Sequence, residues 1–463
     1  MNKQYESQQD NSASQANLKD AQVVSRRDLE GVAEKALAHA KQLGMDQAEV
    51  HISNSVGQSV AVRKQALESV EIHNDRSLVI SVYCNQQTGS ASSADFSVEG
   101  IQQTVAAAVT IAKQTARDDC LGLADAQLMA SDPADLKLYH DWGISLQQMT
   151  QLAQECEQAA CDVDTRITNT EGATINSHRG ASIYANSHGF SGFQRGTRHS
   201  ISCSVIAEQD GDMQRDYWYS SNCNAERLQS AEQIGALAGE RTIRRLGATQ
   251  ISSCQVPVLF EAPIAGSLVS HLIASIKGGA LYKKATFMLD QMGQQVLPEW
   301  LSITENPHVI GGAASAAYDN EGVATPEQRA IVADGILQGY VLGSYTARKL
   351  GMQTTANSGG VRNVTVTDTQ QSFDDLVSGI DEGLLVTELI GSGINMVTGD
   401  YSRGASGFWI KNGIIQHPVQ EITIAGNLRD IFMSVAAVGT DVDDRGNIQT
   451  GSILIDNMTV AGS

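Results

Sequence analysis

The chain has 463 residues, of which 32 are Lys or Arg and 52 are Asp or Glu, so its formal net charge is −20. One hydrophobic core rarely organises a chain of this length, and two domains are therefore predicted. The negative charge argues against DNA, RNA and anionic membranes as direct partners, because binding to them depends on Lys and Arg meeting phosphate.

Cysteine usage and hydropathy predict a cytoplasmic protein. The seven cysteines are an odd, scattered set without a Cys-x-x-Cys pair. This is typical of reduced thiols and not of a disulfide framework or a zinc ribbon. No apolar run is long enough to span a bilayer, and the first residues lack the pattern of a signal peptide.

The first half of the chain mixes helical and strand patterns. Residues 1–24 are rich in Gln, Asn, Ser and Asp, which predicts a disordered tail. Apolar residues at helical spacing predict a helix over 29–43 that ends at Gly44. Alternation of apolar and polar residues between 48 and 84 predicts a half-exposed β-meander.

Capping and turn residues predict where the following elements begin and end. Ser97, Ser145 and Ser230 are placed to cap three helices, and Gln148 completes a capping box with Ser145. Strands return between 166 and 220. The predicted turns are Asn74-Asp75, Gly89, Glu171-Gly172, Arg179-Gly180, His188-Gly189 and Asp210-Gly211.

Three histidines in the second strand region, His178, His188 and His199, could in principle bind a metal. No acidic or Cys ligand accompanies them at helical or hairpin spacing, and His178 and His188 stand at predicted turns. Metal binding by this set is therefore disfavoured.

A helix from Pro263 to Gly278-Gly279 is predicted to be buried, because its apolar residues lie on nearly every side. One polar stripe interrupts it, formed by Ser267, His271 and Ser275 at intervals of four residues. Such a helix is either a packed core helix or the floor of a cavity.

These patterns predict an α+β fold in two domains. A small polar linker at 248–253 separates an N-terminal domain over 25–247, with helices and a β-meander, from a C-terminal domain over 254–463. The second domain is predicted to be mostly antiparallel β around the buried helix. Its clearest signals are hairpin turns at Asp334-Gly335 and Asn412-Gly413 and a helix capped by Ser372.

Two segments carry a family resemblance. They are 263–296 and 398–432; the second contains TGDYSRGASGFW at 398–409 and PVQEITIAGNLRDIF at 418–432. Both resemble the TldD/PmbA family, in particular its PmbA branch, also called TldE. The likeness extends in order and layout over about residues 25–463.

The resemblance implies a cytoplasmic subunit of a protease. TldD-like and TldE-like chains of this family pair as a heterodimer around a proteolytic chamber, which degrades unfolded peptides and matures a peptide antibiotic precursor. The family is also named a modulator of DNA gyrase, which fits peptide toxins of gyrase as substrates. A homodimer is possible when the partner is absent.

The zinc site of the TldD branch is missing from this sequence. That branch carries HExxxH on the helix matching 263–278 and a Cys near the C-terminus. Here Ser270, His271 and Ser275 stand at the three motif positions, and Thr450 stands where the Cys would fall. A hydroxyl is a poor zinc ligand. The resemblance therefore implies no metal in this chain and zinc in a TldD-like partner.

Three functions stay open at this stage. The first is the non-catalytic subunit of a TldD-type zinc protease. The second is a stand-alone peptidase that uses His271 with Ser270 or Ser275, although no acidic residue of the helix would orient the imidazole and no GxSxG elbow exists. The third is a peptide-binding or scaffold protein in which His271 is a core histidine.

The motif at 398–432 adds candidates for the lining of the chamber: Asp400, Tyr401 and Arg403. The alternative is structural, with Asp400 and Arg403 paired at a turn and Trp409 packed between sheets. The sequence favours neither interpretation.

Overall fold

The computed structural model describes residues 23–462. The predicted tail therefore lies outside the described residues, except for Val23 and Val24. These two residues are half-buried against an apolar core that includes Leu29 and Val50. The backbone N–H of Val24 donates to Oδ1 of Asn54 at 2.8 Å. The first folded element is helix α1, Arg26–Gln42, capped by the side chain of Ser25.

A six-stranded antiparallel sheet organises residues 23–247, which we call the N-terminal half. Its strands are β1 Gln47–Arg63, β2 Ala66–Cys84, β3 Gln87–Ser93, β4 Ile167–Asn186, β5 Ser191–Gln209 and β6 Asp212–Asn222, and they lie in the order β3-β2-β1-β4-β5-β6. The other α-helices of this half are α2 Val98–Ala112, α3 Leu146–Cys161 and α4 Ala231–Ile243. Helices α1 and α2 cover one part of the sheet, and helices α3 and α4 cover another, each pair with its own apolar core.

Several predicted turns in this half are wrong. Asn74-Asp75 lies inside β2, because β1 pairs with β2 from Gln47 to Arg63 with only one bulge. Gly89 lies inside β3, where it pairs with Val82 of β2. The true turns are residues 64–65 and 85–86, all four with φ between 52° and 62°. Lys64, Gln65 and Gln86 are not typical turn residues, and Asn85 is followed by Gln instead of the Gly that marks an Asn-Gly turn.

The same error recurs in β4. Glu171-Gly172 and Arg179-Gly180 lie within this strand, and His178 is a strand residue rather than a turn residue. Gly172 marks a bulge, with φ of 102°. The predicted turns at His188-Gly189 and Asp210-Gly211 are correct. The predicted caps at Ser97, Ser145 and Ser230 are confirmed, the last two as capping boxes.

Residues 254–462, the C-terminal half, contain two sheets. Their strands are β7 Cys254–Phe260, β8 Ile303–Glu305, β9 Arg329–Ala333, β10 Ile336–Leu337, β11 Val364–Val366, β12 Glu382–Ile390, β13 Asp400–Lys411, β14 Ile414–Asn427, β15 Val435–Val438, β16 Ile448–Gln449 and β17 Ile453–Ala461. One sheet has the order β10-β9-β8-β11-β16. The other has the order β14-β13-β12-β7-β17-β15, and β14 also pairs with β17, which closes a ring. Pairing is antiparallel except for β7 with β12 and β11 with β16.

Five helices accompany these strands: α5 Ala262–Ser275, α6 Gly278–Tyr282, α7 Ser344–Lys349, α8 Phe373–Ser378 and α9 Leu428–Met433. The hairpin turns at Asp334-Gly335 and Asn412-Gly413 and the cap at Ser372 are confirmed. The mixed α+β class is confirmed as well. No helix within residues 23–462 is long and apolar enough to cross a membrane.

Helix α5 ends earlier than predicted. It stops at Ser275, and Gly278 begins α6 instead of ending α5. The cause is a tertiary contact with Val341. Its N–H donates to the carbonyl of Ile276 at 3.1 Å, and its carbonyl accepts from the N–H of Gly278 at 3.0 Å. This strand-like bridge removes both groups from the helical ladder.

Candidate functional site

A cleft of about 470 Å³ opens over helix α5, where the two halves of the chain meet. Its floor is the exposed face of α5, and its walls come from β6, the end of α4, β12, β13 and the loop before β16. The lining side chains are Pro263, Ile264, Ser267, Ser270, Arg215–Tyr219, Arg241, Arg245, Thr387–Leu389, Arg403 and Arg445–Ile448.

The sequence of α5 explains why one face of it stays open. Ala265, Leu268, Val269, Leu272 and Ile273 are buried in the core of the C-terminal half. Beyond Pro263 and Ile264 in its first turn, the cleft side has small groups at Gly266, Ser267 and Ser270, which leave space above the helix. Both alternatives left open for this helix therefore apply to parts of it: one face is packed in the core, and the face that begins at Pro263 is the floor of a cleft. Of the polar stripe, Ser267 lines the cleft, whereas Ser275 is fully buried.

Arginine dominates the charge of the cleft, and four of its five arginines have carboxylate partners. Arg215 pairs with Glu171 at 2.5 Å, Arg241 with Glu261 at 3.0 Å and Arg445 with Asp443 at 2.7 Å, while Arg245 pairs with Glu388. Within residues 23–462, Arg403 forms no ion pair.

The three arginines at the end of α4 share three carboxylates. Arg241, Arg244 and Arg245 face Glu261, Asp216 and Glu388. Oδ2 of Asp216 lies 3.4 Å from Arg241 and 3.5 Å from Arg245, as an ion pair, but the alignment is too poor for a hydrogen bond. Their formal charges cancel, so this cluster adds no net charge to the cleft.

Four side-chain atoms around Arg403 are buried without a hydrogen-bond partner in the described chain. They are Oγ of Ser267, Nε2 of His271, the hydroxyl of Tyr401 and Nε of Arg403 itself. An unsatisfied buried polar group costs about 1–3 kcal/mol. Their concentration beside one cleft is typical of a place where a ligand supplies the partners.

The titratable groups of this cluster are neutral apart from Arg403. Burial, and then the positive charge of Arg403, lower the pKa of His271, so its imidazole is uncharged at neutral pH. Burial raises the pKa of the Tyr401 phenol to about 12, against the opposing effect of Arg403. The rings of His271 and Tyr401 stand edge to face with centroids 6.0 Å apart.

An aromatic wall completes the cleft on the β6 side. The guanidinium of Arg445 lies 4.1 Å from the ring centre of Trp218 and 4.3 Å from that of Tyr219. The guanidinium of Arg241 lies 5.1 Å from the ring centre of Trp218. These cation–π contacts hold both arginines against the wall.

The structure does not join the four residues matched to the zinc motif. Ser270 is exposed on the cleft floor and donates to the carbonyl of Gly266. Ser275 is fully buried and donates to the carbonyl of Leu272, and Thr450 is buried and donates to the carbonyl of Gly451. In residues 23–462 no hydrogen bond links any of the three to His271, so the arrangement forms no serine–histidine pair.

The donor set also fails the test for a metal. No group of three His, Cys, Asp or Glu side chains in the described chain is placed to hold an ion. His178, His188 and His199 are no exception: Nδ1 of His199 lies 3.0 Å from Oγ of Ser177, and its Nε2 lies 2.8 Å from the carbonyl of His140. The hydroxyls of Ser270, Ser275 and Thr450 do not fit a zinc ion.

The three residues from 398–432 that were candidates for the lining of the chamber lie in different environments. Arg403 lines the cleft, and Tyr401 is buried beside His271. Asp400 is exposed, where its carboxylate accepts from the hydroxyl of Thr398 at 2.6 Å and not from Arg403. The proposed pairing of Asp400 with Arg403 at a turn is therefore wrong. Trp409 is half-buried against the core of the C-terminal half.

Sequence reasoning missed the walls of the cleft. The arginines at 241, 244 and 245 lie at spacings of three and four residues, a visible sign of one charged helix face. Trp218, Tyr219 and Arg445 gave no such sign, because the chain brings β6 and the loop before β16 together only by tertiary folding.

The fold and the cleft together define a class of proteins: two β-rich halves that meet over a helix whose exposed face has no metal ligands. Matches to known families make this class specific. Three family domains cover most of the chain: PmbA/TldA metallopeptidase domain 1 at residues 48–112, the central domain at 139–246 and the C-terminal domain at 253–462. The chain belongs to the PmbA/TldA metallopeptidase family.

Curated relatives agree with this assignment. The chain is 46% identical over 434 residues to "Metalloprotease PmbA" of Escherichia coli O157:H7, which covers 93% of this chain and 96% of that protein. It is also 46% identical over 417 residues to "Metalloprotease PmbA homolog" of Haemophilus influenzae, with coverage of 90% and 92%.

Solved structures share the fold. A crystal structure of a protein of Bacteroides thetaiotaomicron, described as a modulator of DNA gyrase, matches with a TM-score of 0.89 at 26% identity, covering 94% of this chain and 99% of that one. TldE from Thermococcus kodakarensis matches with a TM-score of 0.77 at 19% identity, covering 93% and 100%. The second likeness concerns the fold alone.

Proposed function

We propose that this chain is the metal-free subunit of a heterodimeric zinc metalloprotease of the TldD/TldE type, acting on unfolded peptides in the cytoplasm. One observation carries the proposal. A chain of a metallopeptidase family has Ser270, His271 and Ser275 on the helix where the resemblance places metal ligands, and these residues do not fit an ion. A zinc ion held by a TldD-like partner would supply the Lewis acid.

The cleft suits a role in holding peptide. Strand β6 is the outermost strand of its sheet, and its residues Arg215–Tyr219 line the cleft. An extended peptide that pairs with the edge of such a strand is recognised by its backbone, which favours unfolded chains of varied sequence. A cytoplasmic location is supported by the seven free cysteines.

The test is reconstitution. We expect the purified chain alone to contain no stoichiometric zinc by mass spectrometry and to leave an unfolded casein substrate intact. Mixed with a TldD-like chain from the same organism, it should form a complex that cleaves casein and loses activity with a chelator. Zinc-dependent cleavage by this chain alone, or a TldD-like chain equally active without it, would refute the proposal.

A further inference from the structure

We propose that the cleft over α5 binds a single carboxylate group of a peptide, with Arg403 as the cation that receives it. The identity of the ligand as a peptide rests on the proposed function; the preference for a carboxylate rests on the cleft itself. Arg403 and Ser267 line the cleft, and the side chains of Tyr401 and His271, each with a buried polar atom that is unpartnered in the described chain, lie next to Arg403.

The cleft has one positive charge without a carboxylate partner within residues 23–462, which a ligand with one negative charge would balance. Arg241, Arg244 and Arg245 are balanced by Asp216, Glu261 and Glu388, Arg215 is balanced by Glu171, and Arg445 is balanced by Asp443. The excess is the charge of Arg403. A half-buried cation without a counter-ion is unfavourable, and a ligand carboxylate removes that cost.

The neighbours of Arg403 carry polar atoms that have no hydrogen-bond partner within residues 23–462. The Tyr401 side chain is 1% exposed, and its hydroxyl stays protonated, so it is a donor without an acceptor in the described chain. The Oγ of Ser267 is unpartnered in the same way and faces the cleft from α5. The neutral His271 contributes a ring N–H or an acceptor according to its tautomer.

A peptide carboxylate fits better than other anions. A phosphate or a nucleic acid brings more than one negative charge, and the protein already has a net charge of −20. The volume of about 470 Å³ lies in the range of sites for small ligands. Ile264, Leu389 and Ile448 line the same cleft, so an apolar side chain next to the carboxylate would find contacts.

Two peptide groups have this chemistry: the C-terminal carboxylate and the side chain of Asp or Glu. The experiment uses a short unstructured peptide of Gly, Ser and Leu with an uncharged fluorophore at its blocked N-terminus. Three forms are compared by fluorescence anisotropy with the purified full chain: a free C-terminal acid, a C-terminal amide, and an amide with one internal Glu.

We expect the free acid or the Glu-containing amide to bind about 10- to 100-fold more tightly than the plain amide, as a charge-assisted hydrogen-bonded pair requires. Binding of the free acid alone identifies the C-terminus as the ligand, and binding of the Glu peptide alone identifies a side chain. The variant Arg403→Gln should remove the preference, and Tyr401→Phe should weaken it several-fold.

The matched control is Arg166→Gln, because Arg166 is a half-exposed arginine that pairs with Asp164 at 2.7 Å and does not line the cleft. It should bind like the unmodified chain. Melting curves of all variants separate loss of binding from loss of folding, and Tyr401→Phe keeps the ring that packs in the core. Equal affinity for acid and amide, absence of binding by every peptide, or an unchanged preference in Arg403→Gln overturns the proposal.

The proposal of a carboxylate site and the proposed subunit function can fail independently, because the peptide titrations need no partner chain and no proteolysis. A complex that cleaves casein while the chain alone prefers no carboxylate would reject only the site. A chain that binds the free acid but never activates a TldD-like partner would reject only the subunit role.

Discussion

At the scale of single residues, Asp319 shows how burial changes the pKa of a carboxyl group. Its side chain is 1% exposed. Its Oδ1 accepts from the backbone N–H groups of Glu321 and Val323, and its Oδ2 accepts from that of Ser358. Desolvation, and then the charge of Glu321, nevertheless raise the pKa of Asp319 from 3.8 to about 6. The folded protein therefore holds this proton more tightly than the unfolded chain.

The raised pKa of Asp319 predicts a pH-dependent stability. Protonated Asp319 contributes its full stabilisation of the folded protein below about pH 4, and this contribution is lost as the pH rises through about 6. Between these values the folded state binds more protons than the unfolded chain. The shift corresponds to a loss on the order of 3 kcal/mol in the free energy of unfolding. Asp319→Asn should lose this slope in thermal melts across the window, while losing some stability at every pH because its amide cannot accept from Ser358.

The control for this prediction is Asp118→Asn. Hydrogen bonding to Lys349 and to the N–H of Cys120 lowers the pKa of Asp118 to about 2. Its contribution to stability therefore falls as the pH decreases, with the opposite sign and below the window of Asp319. An unchanged slope in Asp319→Asn between pH 4 and 6 would contradict the assignment.

Residue-level signals in the sequence were reliable where chemistry is local. Ser145 with Gln148 predicted a capping box, because both partners lie in one helical turn. The sequence proposed Arg403 as a candidate, which stays a prediction, and it could not show that this arginine has no carboxylate partner within residues 23–462. That property depends on how Glu388, Asp216 and Glu261 are divided among other arginines, which only the folded chain decides.

At the scale of elements, the turn between β1 and β2 explains why a hairpin can form without a turn motif. Lys64 and Gln65 have φ of 52° and 60°, a region that disfavours side chains. Glu157 of helix α3 compensates: its carboxylate accepts from the backbone N–H groups of both residues, at 2.8 and 2.6 Å, and from the Gln65 side chain at 3.0 Å. This support lies more than ninety residues away in sequence, so no local pattern predicted the turn.

Removing this carboxylate should be costly. Glu157→Ala removes the charged acceptor of two backbone N–H groups and of the Gln65 side-chain amide, and we expect the free energy of unfolding to fall by roughly 1–3 kcal/mol. Glu155→Ala, on the exposed face of the same helix, should change it by less than about 0.5 kcal/mol. Chemical denaturation of both variants measures the difference. Similar small losses in both would show that Glu157 does not hold the turn.

At the scale of the whole molecule, the sequence predicted the order of elements better than their assembly. Hairpins such as 408–415 were found because their turns and pairing are local. The parallel pairing of β7 with β12, and the closure of the ring by β14 and β17, join segments far apart in sequence. Strand β12 lines the cleft, so the cleft depends on these long-range pairings. The division of the chain at 248–253 stays a prediction, which the separate sheets of the two halves support.

One contact between the two halves can be tested directly. The guanidinium of Arg348, on α7 of the C-terminal half, donates to the carbonyls of Cys120, Gly122 and Leu123 and pairs with Asp125 at 3.2 Å. It therefore satisfies a stretch of irregular backbone in the N-terminal half, which forms few hydrogen bonds of its own.

Arg348→Ala should release this stretch. Because the three carbonyls lose a charged donor, we expect amide hydrogen exchange over residues 118–125 to accelerate about 10-fold or more, as local opening becomes easier. Exchange in the interior of β1 and β4 should not change, since those strands are paired on both sides. Arg27→Ala, an exposed arginine of α1, serves as the control and should leave exchange over 118–125 as it was. Uniform acceleration across the protein, or none in this stretch, would show that Arg348 does not fix the junction between the halves.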